Sequence, residues 1–160
     1  MIGYYSGIGS RTTPPQICKA IKEFSQWAER KGLILRSGGA EGADKAFEEG
    51  VTMPAHKHIY RSWHATADAI EFASEYHPAW HRCSKNARAL HGRNAMIILG
   101  EDLRNPAEFV VCWSKDENRG GTAMGLSIAR SKGIPVYNIF DYTDINHLYE
   151  DVEKMLAGLV

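Results

Sequence analysis

The sequence has little of what marks specialised classes of protein. Its 160 residues include only three cysteines, Cys18, Cys83 and Cys112, which are far apart and show no Cys-x-x-Cys or Cys/His ligand spacing. A disulfide framework and a zinc finger are therefore poor interpretations, and a reduced intracellular compartment fits better. The opening residues MIGYYSGIGSR lack a basic segment followed by a long apolar stretch, so they do not predict a signal peptide.

An excess of charge and a long apolar run are also lacking. The 19 basic residues balance the 19 acidic ones, so no global field draws the chain to nucleic acid or membrane, although a local basic patch could still bind DNA. No window reaches the roughly 18 apolar residues of a transmembrane helix. We therefore expect a cytoplasmic protein with no membrane partner. Because linkers, repeats and low-complexity segments are missing, one domain is predicted over residues 1–160.

What the chain does have is a regular alternation of short apolar runs and segments with helical periodicity. Strands are predicted at residues 2–8, 33–35, 56–61, 109–113 and 133–139. Helices are predicted from Pro14–Pro15, with Thr13 as the cap, to Lys31, then around 43–47 and over 66–76, roughly 80–99, 123–132 and 145–159. This order predicts an α/β fold with a doubly wound, mainly parallel sheet of about five strands flanked by helices.

Three polar turns that contain glycine follow directly on predicted strands, with the sequences GIGSR, RSGGAEGAD and WSKDENRGGT. They should converge, because the carboxyl ends of parallel strands lie at one edge of a sheet. Small residues let backbone N–H groups approach an anion, and hydroxyl and guanidinium groups match phosphate. One such turn could equally be a tight connection, but three together favour an anion site. The candidate donors are Ser10, Arg11, Ser37, Arg119 and Thr122.

Two common nucleotide motifs are missing from these turns. Prolines follow Gly9 where a dinucleotide fingerprint would need another glycine, and no Gly-Lys-Ser/Thr indicates a P-loop. The second turn carries acids instead. Asp44 falls in the first turn of a helix, where the helix dipole alone favours it, but it could equally accept from a ribose hydroxyl or polarise a water. Glu41 is at the loop tip, where simple solvation is the leading interpretation.

No acidic residue occurs between Glu75 and Glu101, a stretch that includes the helix predicted over roughly residues 80–99. Asn94 falls within the apolar face of its helix, so its amide needs hydrogen-bond partners. Either Asn94 bridges two backbone loops in the core, or Arg93 and Asn94 reach the ligand pocket while Gly92 allows a close approach. The other basic residues could form a solvated face, a dimer surface or a track for nucleic acid. They are Arg82, Lys85 and Arg88.

Histidines and tryptophans give weaker indications. His56 and His58 would share a face of the third predicted strand, but no third ligand is apparent, so we predict no metal site and no cofactor. Trp80 is the better candidate for stacking on a base, whereas Trp113 lies in an apolar run and is expected in the core.

The order of these motifs resembles the SLOG superfamily, which includes the DprA/Smf DNA-processing proteins, the LOG (lysine-decarboxylase-like) phosphoribohydrolases and the YpsA-type proteins. GSR, SGGAEGAD, GRN and GGT carry the likeness over nearly the whole chain, and it is strongest to small stand-alone DprA-like proteins. The resemblance implies a Rossmann-like fold with a nucleotide or phosphate pocket. The matched residues are Gly9, Ser10, Arg11, Ser37, Gly38, Gly39, Gly42, Asp44, Arg93, Asn94, Gly120, Gly121 and Thr122.

The chain departs from the LOG enzymes at one position. Their Pro-Gly-Gly-x-Gly-Thr-x-x-Glu pattern ends in a glutamate that serves N-glycosidic cleavage, and Gly125 stands at the matching position here. Cleavage would need another carboxylate, for which Asp44, Glu41 and Glu117 are the nearby candidates. Whether the chain is an enzyme therefore stays open.

Three hypotheses for function follow. The first is binding of a nucleotide by its phosphate and ribose, with hydrolysis of the N-glycosidic bond as a further step. The alternative is a non-enzymatic protein that binds single-stranded DNA in recombination. The third is a sensor or sequestering module for a signalling nucleotide. The resemblance also implies a homo-oligomer, which we expect to be a dimer.

Overall fold

A computed structural model describes residues 3–159 of the chain. Ile2, which the sequence places in the first strand, lies outside the described residues. The five strands are β1 (Gly3–Gly9), β2 (Leu33–Ser37), β3 (Lys57–Ile59), β4 (Phe109–Trp113) and β5 (Val136–Asn138). The six α-helices are α1 (Pro15–Arg30), α2 (Ala43–Gly50), α3 (Ala67–Ser74), α4 (Lys85–Leu99), α5 (Thr122–Ser131) and α6 (Ile145–Ala157).

All five strands are parallel and form one sheet in the order β3-β2-β1-β4-β5. This confirms the predicted Rossmann-like α/β fold. The chain first winds outward from β1 to β3 and then returns to place β4 on the other side of β1. The winding direction therefore reverses between β1 and β4, where Gly9 pairs with Trp113. Open α/β sheets bind ligands beyond the carboxyl ends of the strands at such a reversal.

Helices cover both faces of the sheet, and β4, the interior strand next to β1, is apolar on both sides. Phe109 and Val111 pack into one core with α1, α2 and α6, whereas Val110 and Cys112 pack into a second core with α4 and α5. A strand alternates its side chains between faces, so a continuous apolar run is needed when both faces are buried. All five residues of β4 are buried accordingly.

Several predicted boundaries were wrong for local reasons. The third strand begins only at Lys57, because Pro54–His56 forms a 3₁₀ turn and His56 Nδ1 lies 2.9 Å from Glu29 Oε2. His56 and His58 therefore do not share a strand face. Pro14, not Thr13, occupies the cap position of α1, since the Thr13 hydroxyl donates to Ser10 O at 2.6 Å.

The helix predicted over roughly residues 80–99 is also shorter than predicted. It begins at Lys85, where the Ser84 hydroxyl accepts from Ala87 N at 3.1 Å and caps the first turn. The preceding Trp80–Arg82 segment is a separate 3₁₀ turn. Within residues 3–159, no helix is both long enough and apolar enough to cross a membrane.

Candidate functional site

A cavity of about 490 Å³ opens at the reversal of winding, between the carboxyl ends of β1 and β4. Its volume falls in the range of roughly 300–1,000 Å³ that is typical of small-molecule sites. The turn after β1, the start of α5 and the inward face of α4 surround it. The predicted site residues that line this cavity are Gly9, Ser10, Arg11, Asp44, Arg93, Asn94, Arg119, Gly120, Gly121 and Thr122.

The first glycine turn is held tightly against its neighbours. A side chain at Gly9 would place its Cβ 2.5 Å from Ala43 Cβ and 2.8 Å from Trp113 O, so the backbone there accepts only glycine without a shift. Ser10 N donates to Trp113 O at 3.1 Å, and Ser10 O accepts from Ala43 N at 3.2 Å. These bonds fix the turn, and Arg11 projects from it as an exposed residue at the cavity.

Most of the second glycine turn packs against neighbouring segments, and of its residues only Ala40 and Asp44 line the cavity. The Ser37 hydroxyl is buried and donates to Gly7 O at 2.6 Å. Gly42 has a φ of +84°, and a Cβ there would lie 2.4 Å from Ser10 O. A Cβ at Gly38 would lie 2.6 Å from Arg93 Nη1, and one at Gly39 would meet the Arg61 guanidinium. The residues of this turn that do not line the cavity include Ser37, Gly38, Gly39 and Gly42.

Arg93 reaches the second turn from α4 and is only 9% exposed. Its Nη1 donates to Gly38 O at 2.9 Å and to Tyr60 O at 3.1 Å, and its Nε donates to Asn94 Oδ1 at 3.0 Å. Burial lowers the pKa of Arg93, while the nearby Asp44 opposes this by favouring the charged guanidinium. The guanidinium therefore joins α4 to the ends of β2 and β3.

Asp44 is a buried carboxyl group in the wall of the cavity. Burial raises its pKa to about 6, against the opposing effects of Arg93 and of backbone N–H groups at Ala40, Gly9 and Gly38. The hydrogen bond from Gly9 N to Asp44 Oδ1 measures 3.1 Å. A carboxyl group with a pKa of about 6 can hold or release a proton near neutral pH, which is what acid–base catalysis requires.

Positive charge collects at this edge of the sheet. Arg11 and Arg61 both lie close enough to lower the pKa of Arg93, so three guanidinium groups share one region. Arg61 follows β3 directly, and its Nη1 donates to Gly39 O at 2.9 Å. The sequence analysis missed Arg61, because it assigned this residue to the end of the third predicted strand, whereas the observed strand ends at Ile59. Three neighbouring cations make this edge attractive to an anion.

The start of α5 closes the cavity from the other side. A Cβ at Gly120 or Gly121 would meet nothing within 4 Å among the described residues. Asn94 Nδ2 donates to Gly121 O at 3.3 Å, so this amide joins α4 to the turn before α5. Arg93 and Asn94 both lie at the cavity rather than in the core. Arg119 is exposed, and its Nε lies 3.4 Å from Asp116 Oδ2. The helix N-terminus and the bare backbone before it favour an anion at this end.

Part of the remaining wall is apolar, which the sequence analysis did not anticipate. Leu90, Ile97 and Ile98 from α4 line the cavity with Ile8 and Trp113. Gly125 lines it as well, and its Cβ would lie 3.1 Å from Ile8 Cδ1. Gly125, which matches the glutamate of LOG enzymes, therefore lies at the cavity but supplies no carboxylate. An apolar wall beside an anion site suits a sugar or a base attached to a phosphate.

The other two catalytic candidates lie elsewhere. The Glu41 side chain is 79% exposed and lies 3.8 Å from Lys45 Nζ. Glu117 accepts from Arg130 at 2.5 Å and from Asn138 at 3.1 Å, and the Arg130 bond is the main cause of its lowered pKa. Neither carboxylate lines the main cavity, so Asp44 is the candidate that the fold brings to it.

One of the basic residues of α4 makes contacts within the fold rather than with solvent alone. Arg88 donates to Trp80 O at 3.0 Å and lies over the Trp80 ring at 5.4 Å. Gly92 allows close packing of α4 on α3, since its Cβ would lie 2.7 Å from Ile70, and it does not border the cavity. Arg82 and Lys85 remain exposed. The interaction with Arg88 leaves Trp80 half-buried.

The fold is similar to that of DNA processing protein A from Helicobacter pylori, a protein that binds single-stranded DNA. The TM-score is 0.57 over 98% of this chain and 80% of that chain, with 14% sequence identity. No protein-family model and no curated protein sequence matches the chain. The likeness confirms a DprA-like, Rossmann-like fold, and the finer SLOG assignment stays a prediction.

Proposed function

We propose that the protein binds single-stranded DNA, with one nucleotide entering the cavity between β1 and β4. The convergence of Arg11, Arg61 and Arg93 at one edge of the sheet carries this proposal. Positive charge would attract the phosphates, and the apolar wall of α4 would contact a sugar or base. The structural similarity to a protein that binds single-stranded DNA supports the same function.

Arg11 gives the sharpest test because it is exposed and lines the cavity. We expect Arg11→Ala to weaken the binding of fluorescein-labelled oligo(dT) about tenfold in fluorescence anisotropy, equivalent to about 1.4 kcal/mol. The slope of log K against log salt should fall by about 0.7, the value for one phosphate contact on a single strand. The fold should be unaffected, since the side chain is not packed.

Arg104→Ala is the matched control for this experiment. Arg104 is equally exposed but lies between α4 and the start of β4, at the opposite edge of the sheet. Equal losses of affinity in the two variants would mean that DNA responds to general charge rather than to the cavity. Binding that does not depend on salt would contradict the proposal.

A second function is supported by Asp44 alone. A free nucleotide in the same cavity would lie against a buried carboxyl group whose pKa is about 6, a group suited to protonate a leaving base during N-glycosidic hydrolysis. Incubation with nucleoside monophosphates, followed by chromatography for free base, tests this. Release that is lost in Asp44→Asn would support hydrolysis. Binding without release would favour a sensor or sequestering module.

A further inference from the structure

Three side chains of metal-ligating types come together at α4, beside the cavity assigned to DNA or nucleotide. His77 follows α3, Cys83 follows the Trp80–Arg82 turn, and His91 lies within α4. Their ligand atoms all lie within 4.8 Å of one another. Cys83 Sγ is 3.7 Å from His77 Nε2, and the two imidazole rings are 4.8 Å apart between centroids.

One of these side chains lacks a hydrogen-bond partner. His91 Nδ1 is buried and has no partner within residues 3–159. Buried polar atoms are normally satisfied, so an orphaned imidazole nitrogen beside a thiol and a second imidazole indicates a missing ligand. His77 Nδ1 accepts from Ala79 N at 3.0 Å. A cation at Nε2 would place the ring proton on Nδ1, so this local bond would be given up.

We propose that His77, Cys83 and His91 bind a Zn²⁺ ion. One thiolate and two imidazoles form a borderline-soft donor set that suits zinc. Tetrahedral zinc with Zn–N of about 2.0–2.1 Å and Zn–S of about 2.3 Å separates its ligand atoms by about 3.3–3.6 Å. The observed 3.7 Å between Cys83 Sγ and His77 Nε2 nearly meets this. All three ligand atoms lie within 4.8 Å of one another, so small side-chain rotations would complete the set.

His77 and His91 both line a second cavity of about 560 Å³, so a bound ion would have room for a fourth ligand on that side. Three protein ligands with an open position allow water or an exogenous group to complete the tetrahedron. The ion would join the segment between α3 and α4 to α4 itself. His91 also lines the main cavity, so zinc would hold one side chain of the proposed DNA site in place.

The test uses untagged full-length protein and Co²⁺, which reports thiolate coordination by its charge-transfer absorption and a tetrahedral site by intense visible bands. We expect one Co²⁺ per chain, displaced by one Zn²⁺. Loss of an outer-shell partner already costs about 10–100-fold in metal affinity. Cys83→Ser and His77→Gln, which each remove a direct ligand, should therefore weaken Zn²⁺ binding by at least about 100-fold in competition with a chromophoric chelator.

Cys18→Ser is the matched control because Cys18 is another half-buried free thiol, and it lies on α1. It should keep the cobalt spectrum and the zinc affinity of the parent protein. Far-UV circular dichroism establishes that each variant is folded. The proposal is overturned if the folded parent takes up no Co²⁺ with thiolate absorption. It is equally overturned if Cys83→Ser and His77→Gln bind Zn²⁺ as tightly as Cys18→Ser.

Discussion

The second and third glycine turns have similar compositions, but the protein surrounds them differently. A Cβ at Gly38, Gly39 or Gly42 would collide with neighbouring groups at 2.6 Å or less, whereas one at Gly120 or Gly121 would meet nothing within 4 Å in the described chain. The glycines of the second turn are therefore required by the fold itself. Those of the third turn leave backbone uncovered at the cavity, where a ligand can approach. The same residue type thus serves packing in one turn and access in the other.

Gly42→Ala tests the enclosed turn and should cause the largest loss of stability. Its φ of +84° is unfavourable for alanine, and the new Cβ would lie 2.4 Å from Ser10 O. We expect the free energy of unfolding in urea to fall by more than about 2 kcal/mol, since strain and a collision with backbone add together. A loss below about 0.5 kcal/mol would show that the second turn is not enclosed.

Asp44→Asn tests the cost of burying a carboxylate in that same turn. The pKa of Asp44 in the folded protein is about 6, above its usual 3.8, so the folded state binds the proton more tightly than the unfolded state. Stability from this group is complete below about pH 4 and falls as the pH rises to about 6. Asp44→Asn should therefore gain stability relative to the parent protein between pH 4 and pH 7, by up to about 3 kcal/mol. A difference that does not vary with pH would contradict the raised pKa.

Gly121→Ala tests the open turn and should change stability least. Gly121 has φ −66° and ψ −22°, which alanine adopts readily. The free energy of unfolding should change by less than about 0.5 kcal/mol. Affinity for oligo(dT) should nevertheless fall by about three- to tenfold, because a methyl group would cover backbone that the ligand approaches. Unchanged affinity would mean that the open backbone is not used.

The fold could be predicted because the pattern of apolar residues indicates both how a strand is buried and how strands and helices alternate along the chain. The continuous run in β4 indicated a strand buried on two faces, and the alternation of strands and helices indicated parallel winding. The predicted ends of elements failed where local hydrogen bonds decide them. Glu29 holds His56 out of β3, and Ser84 starts α4 later than its apolar periodicity suggested.

The lining of the main cavity was predicted in part. Residues just after strands were found, because strand ends share one edge of a parallel sheet. Leu90 and Ile97 were missed as cavity wall, since an apolar helical face gives no sign of whether it meets a core or an opening. The cluster of His77, Cys83 and His91 was missed because its members are six and eight residues apart on separate segments, a spacing that matches no familiar ligand motif.

The position of β1 at the centre of the sheet also bears on how the molecule folds. Its partner β4 is about 100 residues later in the chain, as in the pairing of Tyr5 with Phe109. Contacts between such distant segments form slowly, because a long loop must close first. A ribosome that adds about 5–20 residues per second needs at least about 5 seconds to make that stretch. The cavity between these two strands therefore cannot form until most of the chain, through β4, has been synthesised.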